Sequence, residues 1–171
     1  MAVNFEAKIR YTGIVGMGRR EFRNSFIKPM YEELGKHWLR YIRPKHFTNA
    51  GASEYNYSPR KGERGSDFRG KFKRSYTGRK LKEKGHTRPL EHSGELKRLS
   101  ARGRFEHTYS GMRIVLSQAG KANFKHPNSK IRMSSELTRV SQNDARELLM
   151  LGNRYLAAKM RNYPRSVIRT V

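Results

Sequence analysis

The chain has 171 residues, enough for one domain with an extension, and a hydrophobic fraction of 35% restricts the core to a small folded body. Its 38 Lys and Arg against 14 Asp and Glu leave a net charge of +24, a self-repulsion that points to phosphates, an acidic protein surface or anionic lipid as compensators. Cysteine is absent, which excludes disulfides and Cys-based metal sites, and no apolar run approaches the roughly 20 residues that cross a bilayer.

The N-terminal stretch MAVNFEAKIRY lacks the apolar segment of a secretory leader, so a cytoplasmic site of synthesis is expected. From Val3 to Tyr11 apolar and polar residues alternate, with Val3, Phe5, Ala7, Ile9 and Tyr11 on one side, the period of a half-buried strand. Gly13, Gly16 and Gly18 follow in GIVGMGRRE. A dinucleotide-binding turn would need a third glycine where Glu21 stands and a βαβ unit after it, so this stretch reads as a strand-to-helix connection. Arg20 to Ile42 then carries Phe22, Phe26, Met30, Leu34, Trp38 and Ile42 at every fourth position, which predicts a helix bent or restarted at Pro29 and ended by Arg43-Pro44.

Residues 45–87 read as an extended, glycine-punctuated basic arm. Between Arg60 and Arg88 there are 12 Lys or Arg and three acids; that run is net +9, so the rest of the chain keeps +15 and is basic in its own right. A connection of this length belongs to function or to partner-induced order rather than to an ordinary loop. The residues expected to meet a partner are Arg60, Lys61, Arg64, Phe68, Arg69, Lys71, Phe72, Lys73, Arg74, Tyr76, Arg79 and Lys80. The spacing of Phe68, Phe72 and Tyr76 fits a short amphipathic helix, an aromatic–basic surface for nucleic acid, or anchors on a neighbouring subunit.

Past the arm, Pro89 sets an extended entry and His92-Ser93-Gly94-Glu95 a turn into a short helix, with Ser93 as its N-cap and Leu96 and Leu99 facing the body. Phe105–Tyr109 and Met112–Ser117 read as a β-hairpin about Ser110-Gly111, and Gly120–Arg132 as a polar loop. Ser141 with Asp144 opens the last helix, whose apolar stripe is read as Ala145, Leu148, Leu149, Tyr155, Leu156 and Met160, ending near Asn162. The fold class expected is α+β: residues 1–44 supply a strand and long helix, 45–87 the inserted arm, and 88–171 the turn-helix, hairpin and C-terminal helix of one body, with a small antiparallel sheet packed on the two long helices.

The order of these elements and the residues Pro89, Ser93, Gly94, Leu96 and Lys97 within RPLEHSGELKR resemble the virion-morphogenesis and tail-completion (neck) proteins of tailed bacteriophages. Their signature is a proline, a short gap, Thr/Ser-Gly, any residue, Leu and a basic residue. The likeness spans the last half of the chain in element order and about ten residues in sequence; the basic insertion and N-terminal strand lie outside it. It implies a structural virion protein at the head–tail junction or tail, made in the host cytoplasm and assembled as a homo-oligomeric ring. Portal, adaptor, tail-tube or terminator proteins would flank it, and double-stranded DNA in the channel would lie within reach of the arm.

No enzyme site or cofactor is expected. His37, His46, His86, His92, His107 and His126 show no i, i+4 pairing or H-E-x-x-H motif, Ser93 lacks a G-x-S-x-G elbow, and the acids are scattered. The alternative is a non-enzymatic nucleic-acid-binding protein, ribosome-associated or DNA-packaging, suggested by aromatics among the basic residues. A membrane-surface role fits less well, because the basic run has no sustained apolar face.

Overall fold

A computed structural model describes residues 2–6, 17–60, 72–116, 120–123 and 131–163. The architecture is α+β: three antiparallel strands and a C-terminal helix pack on one long helix.

That long helix, α1, runs over 19–45 as three α-helical stretches, Arg19–Phe22, Lys28–His37 and Arg43–Lys45, joined by π-turns at Arg23–Ile27 and Trp38–Ile42. The π-turns follow from the sequence period. On a regular α-helix a residue at every fourth position drifts by about 40° per step, so the stripe from Phe22 to Ile42 would wander by about 200°. Each π-turn takes in one extra residue and turns the face back by about 100°, and two of them restore a single face. All six stripe residues are accordingly buried.

The prolines are accommodated by the same device, so neither breaks the helix. Pro29 and Pro44 each follow a π-turn, where the i→i+5 bonds Lys28 N–H to Arg23 C=O and Arg43 N–H to Trp38 C=O replace the α-register that a missing proline donor would interrupt.

Strands β1 (Ala2–Glu6), β2 (Arg104–His107) and β3 (Gly111–Val115) form a sheet in the order β1-β3-β2. The hairpin is as expected, and the N-terminal strand lies along β3, pairing Val3 with Ile114. The expected continuation of β1 to Tyr11 falls outside the described residues. Val3, Met112 and Ile114 are buried against α1. At Gly35 the contact is so close that a Cβ would lie 2.6 Å from Met112 Cε and 2.8 Å from the Phe105 ring. Tyr31 donates to the Ser110 carbonyl at 3.2 Å and Arg23 to that of Thr108, fastening the hairpin turn to α1.

The segment 46–60, expected within an extended arm, belongs to the body. Thr48 caps helix α2 (Asn49–Glu54) by accepting from Gly51 N–H at 2.9 Å, and Phe47, Tyr55 and Tyr57 enter the main core. Aromatic burial outweighs the small, polar composition that made this stretch look like loop.

Helix α3 (Tyr76–Lys84) follows a 3-10 turn at Phe72–Arg74, and α4 is Glu95–Leu99. Helices α5 (Met133–Leu137) and α6 (Gln142–Arg161) close the chain, with a 3-10 turn at Gly120–Asn123 before them. Ser141 and Asp144 form the expected capping box. Helix α6 runs antiparallel to α1, Glu147 meeting His37 and Tyr163 meeting Glu21.

Its inward face differs from the stripe read in the sequence. Asp144, Leu148 and Gly152 are buried, with Tyr155 and Leu156 beside them, whereas Ala145, Leu149 and Met160 are exposed. Gly152 lies against Met30 and Leu34 at ordinary packing distance, on the side that Leu148 and Asp144 also turn inward.

Candidate partner-binding surface

The Pro89–Lys97 stretch is a junction between elements. Pro89 and Leu90 are buried, with Leu90 at φ +53, and the chain turns there toward α4. Gly94, at φ +75, occupies the N-cap position of α4 without a side-chain cap. Ser93 is exposed and is not the cap. The left-handed backbone favours glycine, and it places the serine hydroxyl away from the helix start.

Leu96 enters the core. Glu91 is buried amid three basic groups, Arg88 at 3.0 Å, Lys97 at 3.6 Å and His86 at 4.0 Å, so both ends of the motif converge on one carboxylate. The nearly buried Arg43 guanidinium donates to the Lys97 carbonyl at 2.7 Å, Ser100 Oγ at 3.1 Å and its own helix's Leu39 carbonyl at 3.2 Å. Burial lowers the pKa of Arg43, and the Lys97 carbonyl near the end of α4 together with the Phe47 ring face, 5.8 Å away, receives its charge.

Helix α3 stands against this junction. Ser75 caps it by accepting from Gly78 N–H at 3.0 Å, and Gly85 ends it at φ +69. Thr77, Gly78 and Lys80 are buried, and the Lys80 ammonium donates to the Arg88 carbonyl. The Tyr76 ring lies 6.4 Å from that of His92.

The residues expected on a free arm thus divide. Arg60 makes a two-pronged ion pair with Glu136, its Nη1 at 2.9 Å and Nη2 at 2.5 Å, and Lys80 is buried; both are held inside the body, because each finds an acceptor in a neighbouring segment. Lys73, Arg74 and Arg79 are exposed with Lys82 and Lys84, Tyr76 is 43% exposed, and Phe72 is half-buried. Lys61, Arg64, Phe68, Arg69 and Lys71 lie outside the described residues. Phe72 and Tyr76 do not share one helix, since Ser75 between them is extended.

Elsewhere in the core lies a polar cluster with no counterpart among the site residues expected from the sequence. The His46 ring is buried and stacked on Tyr55, centroids 3.9 Å apart and planes 6° from parallel. Its Nδ1 is 2.5 Å from the Tyr57 hydroxyl, which donates onward to the Glu136 carbonyl at 3.1 Å. The hydroxyl has one proton, so Nδ1–H donates to the Tyr57 oxygen and Nε2 carries the lone pair. Burial depresses the His46 pKa to about 4, leaving the ring neutral at pH 7.

Asp144, fully buried, receives Lys45 Nζ at 3.0 Å and Ser141 N–H at 3.2 Å. Burial opposes its ionisation, but the nearby Tyr55 hydroxyl, Lys45 and Ser141 outweigh it and hold the carboxyl below its ordinary value. Tyr55 and Tyr57 are pushed above the ordinary tyrosine range by burial first and then by their carboxylate neighbours. This cluster ties the end of α1, α2, α5 and α6 together. A local signal existed in retrospect, His46 between Phe47 and the Tyr55/Tyr57 pair, but only the fold brings in Glu136 and Asp144 from about 80 to 100 residues away.

Among the described residues no group of three or more His, Asp or Glu is placed to hold a metal ion. A cleft lined by Ser25, Phe26, Tyr155, Lys159 and Tyr163 lies toward the other end of α1, roughly 28 Å from Lys45 along the helix. The exposed basic side chains of 73–84 stand beside the Pro89–Lys97 junction, to which Lys80 and Tyr76 join them. No family model, curated protein or solved structure matches the chain.

Proposed function

We propose that the protein is a structural subunit of a tailed-phage neck, part of a head–tail connector or tail-completion ring that acts through assembly. The observation that carries this reading is the position of the Pro89–Lys97 signature. The stretch that carries the neck-family resemblance is bound to the long helix by Arg43 at the Lys97 carbonyl, is drawn to the basic segment by Glu91 with Arg88, and sends Leu96 into the main core. A signature of that kind serves a scaffold.

Two further features suit a ring subunit. Among the described residues β1 and β2 pair only with β3, so each offers an edge to a neighbouring chain. Lys73, Arg74, Arg79, Lys82 and Lys84 offer exposed charge to acidic portal, adaptor or tail surfaces, or to DNA in the channel.

Negative-stain imaging of the purified protein, alone and with phage portals or tail tubes, is expected to show rings or a decorated neck. Persistent monomers that never join particles would contradict the proposal. The alternative of a nucleic-acid-binding protein is favoured by Tyr76 standing among Lys73, Arg74 and Arg79. It predicts DNA affinity that falls steeply with salt and is lost on charge reversal at those three basic residues, without any association with particles.

A further inference from the structure

Among the described residues, nothing covers one side of helix α6. With Asp144, Leu148 and Gly152 turned inward, Leu149, Met150 and Met160 lie 63%, 54% and 48% exposed, with Ala145, Asn153 and Ala157 among them. The strip from Leu149 to Met160 runs about 16 Å along the axis. A single exposed leucine is unremarkable; three long apolar side chains on one side of a 20-residue helix, spaced by small residues, make a continuous surface.

Its charge is of one sign. Arg154 and Arg161 border one edge of the strip, Lys159 the other and Arg146 its N-terminal end, all exposed. The helix has two acids, and both are engaged toward the body: Asp144 is buried on Lys45, and Glu147 is held by His37 at 2.6 Å and Lys45 at 3.4 Å. An occupant must therefore be apolar along its middle and acidic along its edges.

We infer that this face docks an acidic amphipathic helix belonging to another protein. A second copy of the chain is disfavoured, because a two-fold pairing sets Arg146, Arg154 and Arg161 against their own copies with +24 on each partner. Nucleic acid gains nothing from Leu149 and the methionines at the centre of the strip. A lipid surface calls for more apolar depth and for the aromatic residues this side lacks. The flexible thioethers of Met150 and Met160 suit a helix-in-groove contact, and the recognised segment would present apolar residues at i, i+3 or i+4 and i+7 between flanks of Asp and Glu. This surface is independent of the neck reading and stands or falls separately.

Because the chain has no cysteine, Asn153→Cys introduces a single thiol in the middle of the strip for an environment-sensitive fluorophore. The labelled full-length protein is titrated with a designed acidic amphipathic helical peptide of about 15 residues and with a scrambled peptide of the same composition that has no apolar face. A saturable blue shift with the first and none with the second is expected. Leu149→Ser with Met150→Ser, or Arg154→Glu with Arg161→Glu, should weaken binding about tenfold or more while leaving the melting temperature nearly unchanged. An equal response to both peptides would reduce the effect to net charge and overturn the proposal, as would no saturable response. Sedimentation showing a dimer, or binding to phosphatidylglycerol vesicles, that Leu149 and Met150 control in the absence of a peptide response would assign the face to a second copy or to lipid instead.

Discussion

His46 shows how a single buried side chain links the fold to pH. In the folded protein its imidazole titrates at about 4, against 6.5 when solvated. Between these values the unfolded chain binds a proton that the folded one does not, so stability is fully present above pH 6.5 and declines as pH falls toward 4. The loss is on the order of 3 kcal/mol. Asp144, whose carboxyl is held below 3.8, adds a second loss at lower pH, again as acidity increases. Denaturant unfolding at a series of pH values is expected to show this decline, and His46→Phe should flatten it between pH 6.5 and 4; a wild-type slope in the variant would disprove the assignment. The motif offers a second residue-scale contrast. Gly94→Ala should cost about 1–2 kcal/mol, because a Cβ is strained at φ +75, whereas Ser93→Ala, at an exposed position with no cap bond, should stay within about 0.5 kcal/mol. Equal costs would mean that the serine contributes to the turn as much as the glycine, and would overturn this contrast.

Helix α1 makes the corresponding point for an element. Its fourfold apolar spacing is legible in the sequence, but an α-helix cannot keep that spacing on one face over 20 residues without the two π-turns. If each π-turn is an inserted residue paired with the proline after it, deleting exposed Asn24 together with Pro29→Ala should yield a regular helix with the same face and near-native stability, within about 1 kcal/mol. Deleting Glu33 from the regular stretch Lys28–His37 should instead rotate Leu34, Trp38 and Ile42 out of the core and prevent folding. Circular dichroism with denaturant unfolding distinguishes the two, and equal damage from both deletions would refute the account. In α6 the apolar pattern misleads, since Leu149 and Met160 are as hydrophobic as the residues that are buried. Gly152, with no side chain to advertise its face, lies on the buried side against Met30 and Leu34.

For the whole molecule the net charge of +24 dominates. Ion pairs absorb part of it: Glu91 gathers Arg88 and Lys97, Glu136 takes Arg60, and Asp144 takes Lys45. The rest repels itself, so salt should stabilise the isolated protein. Melting temperature is expected to rise as sodium chloride goes from about 10 mM to about 150 mM, over which the Debye length shrinks from roughly 30 to 8 Å. A flat or falling response would mean that the internal pairs outweigh the repulsion.

Composition, period and turn chemistry, all local properties, were sufficient for the α+β class, the long helix, the hairpin about Ser110-Gly111 and the capping box of Ser141 and Asp144. They also marked Pro89 to Lys97 as a turn into a helix. Tertiary structure decided everything that depends on which distant groups meet. It drew 46–60 into the core, turned Arg60 and Lys80 from arm residues into internal ones, gave the role expected of Ser93 to Gly94, and left Leu149, Met150 and Met160 outside. The reason is physical: a period reports that a face is apolar, whereas burial and charge pairing depend on partners 50 to 100 residues away, such as Lys97 for Arg43 and Asp144 for Lys45, which no local pattern contains.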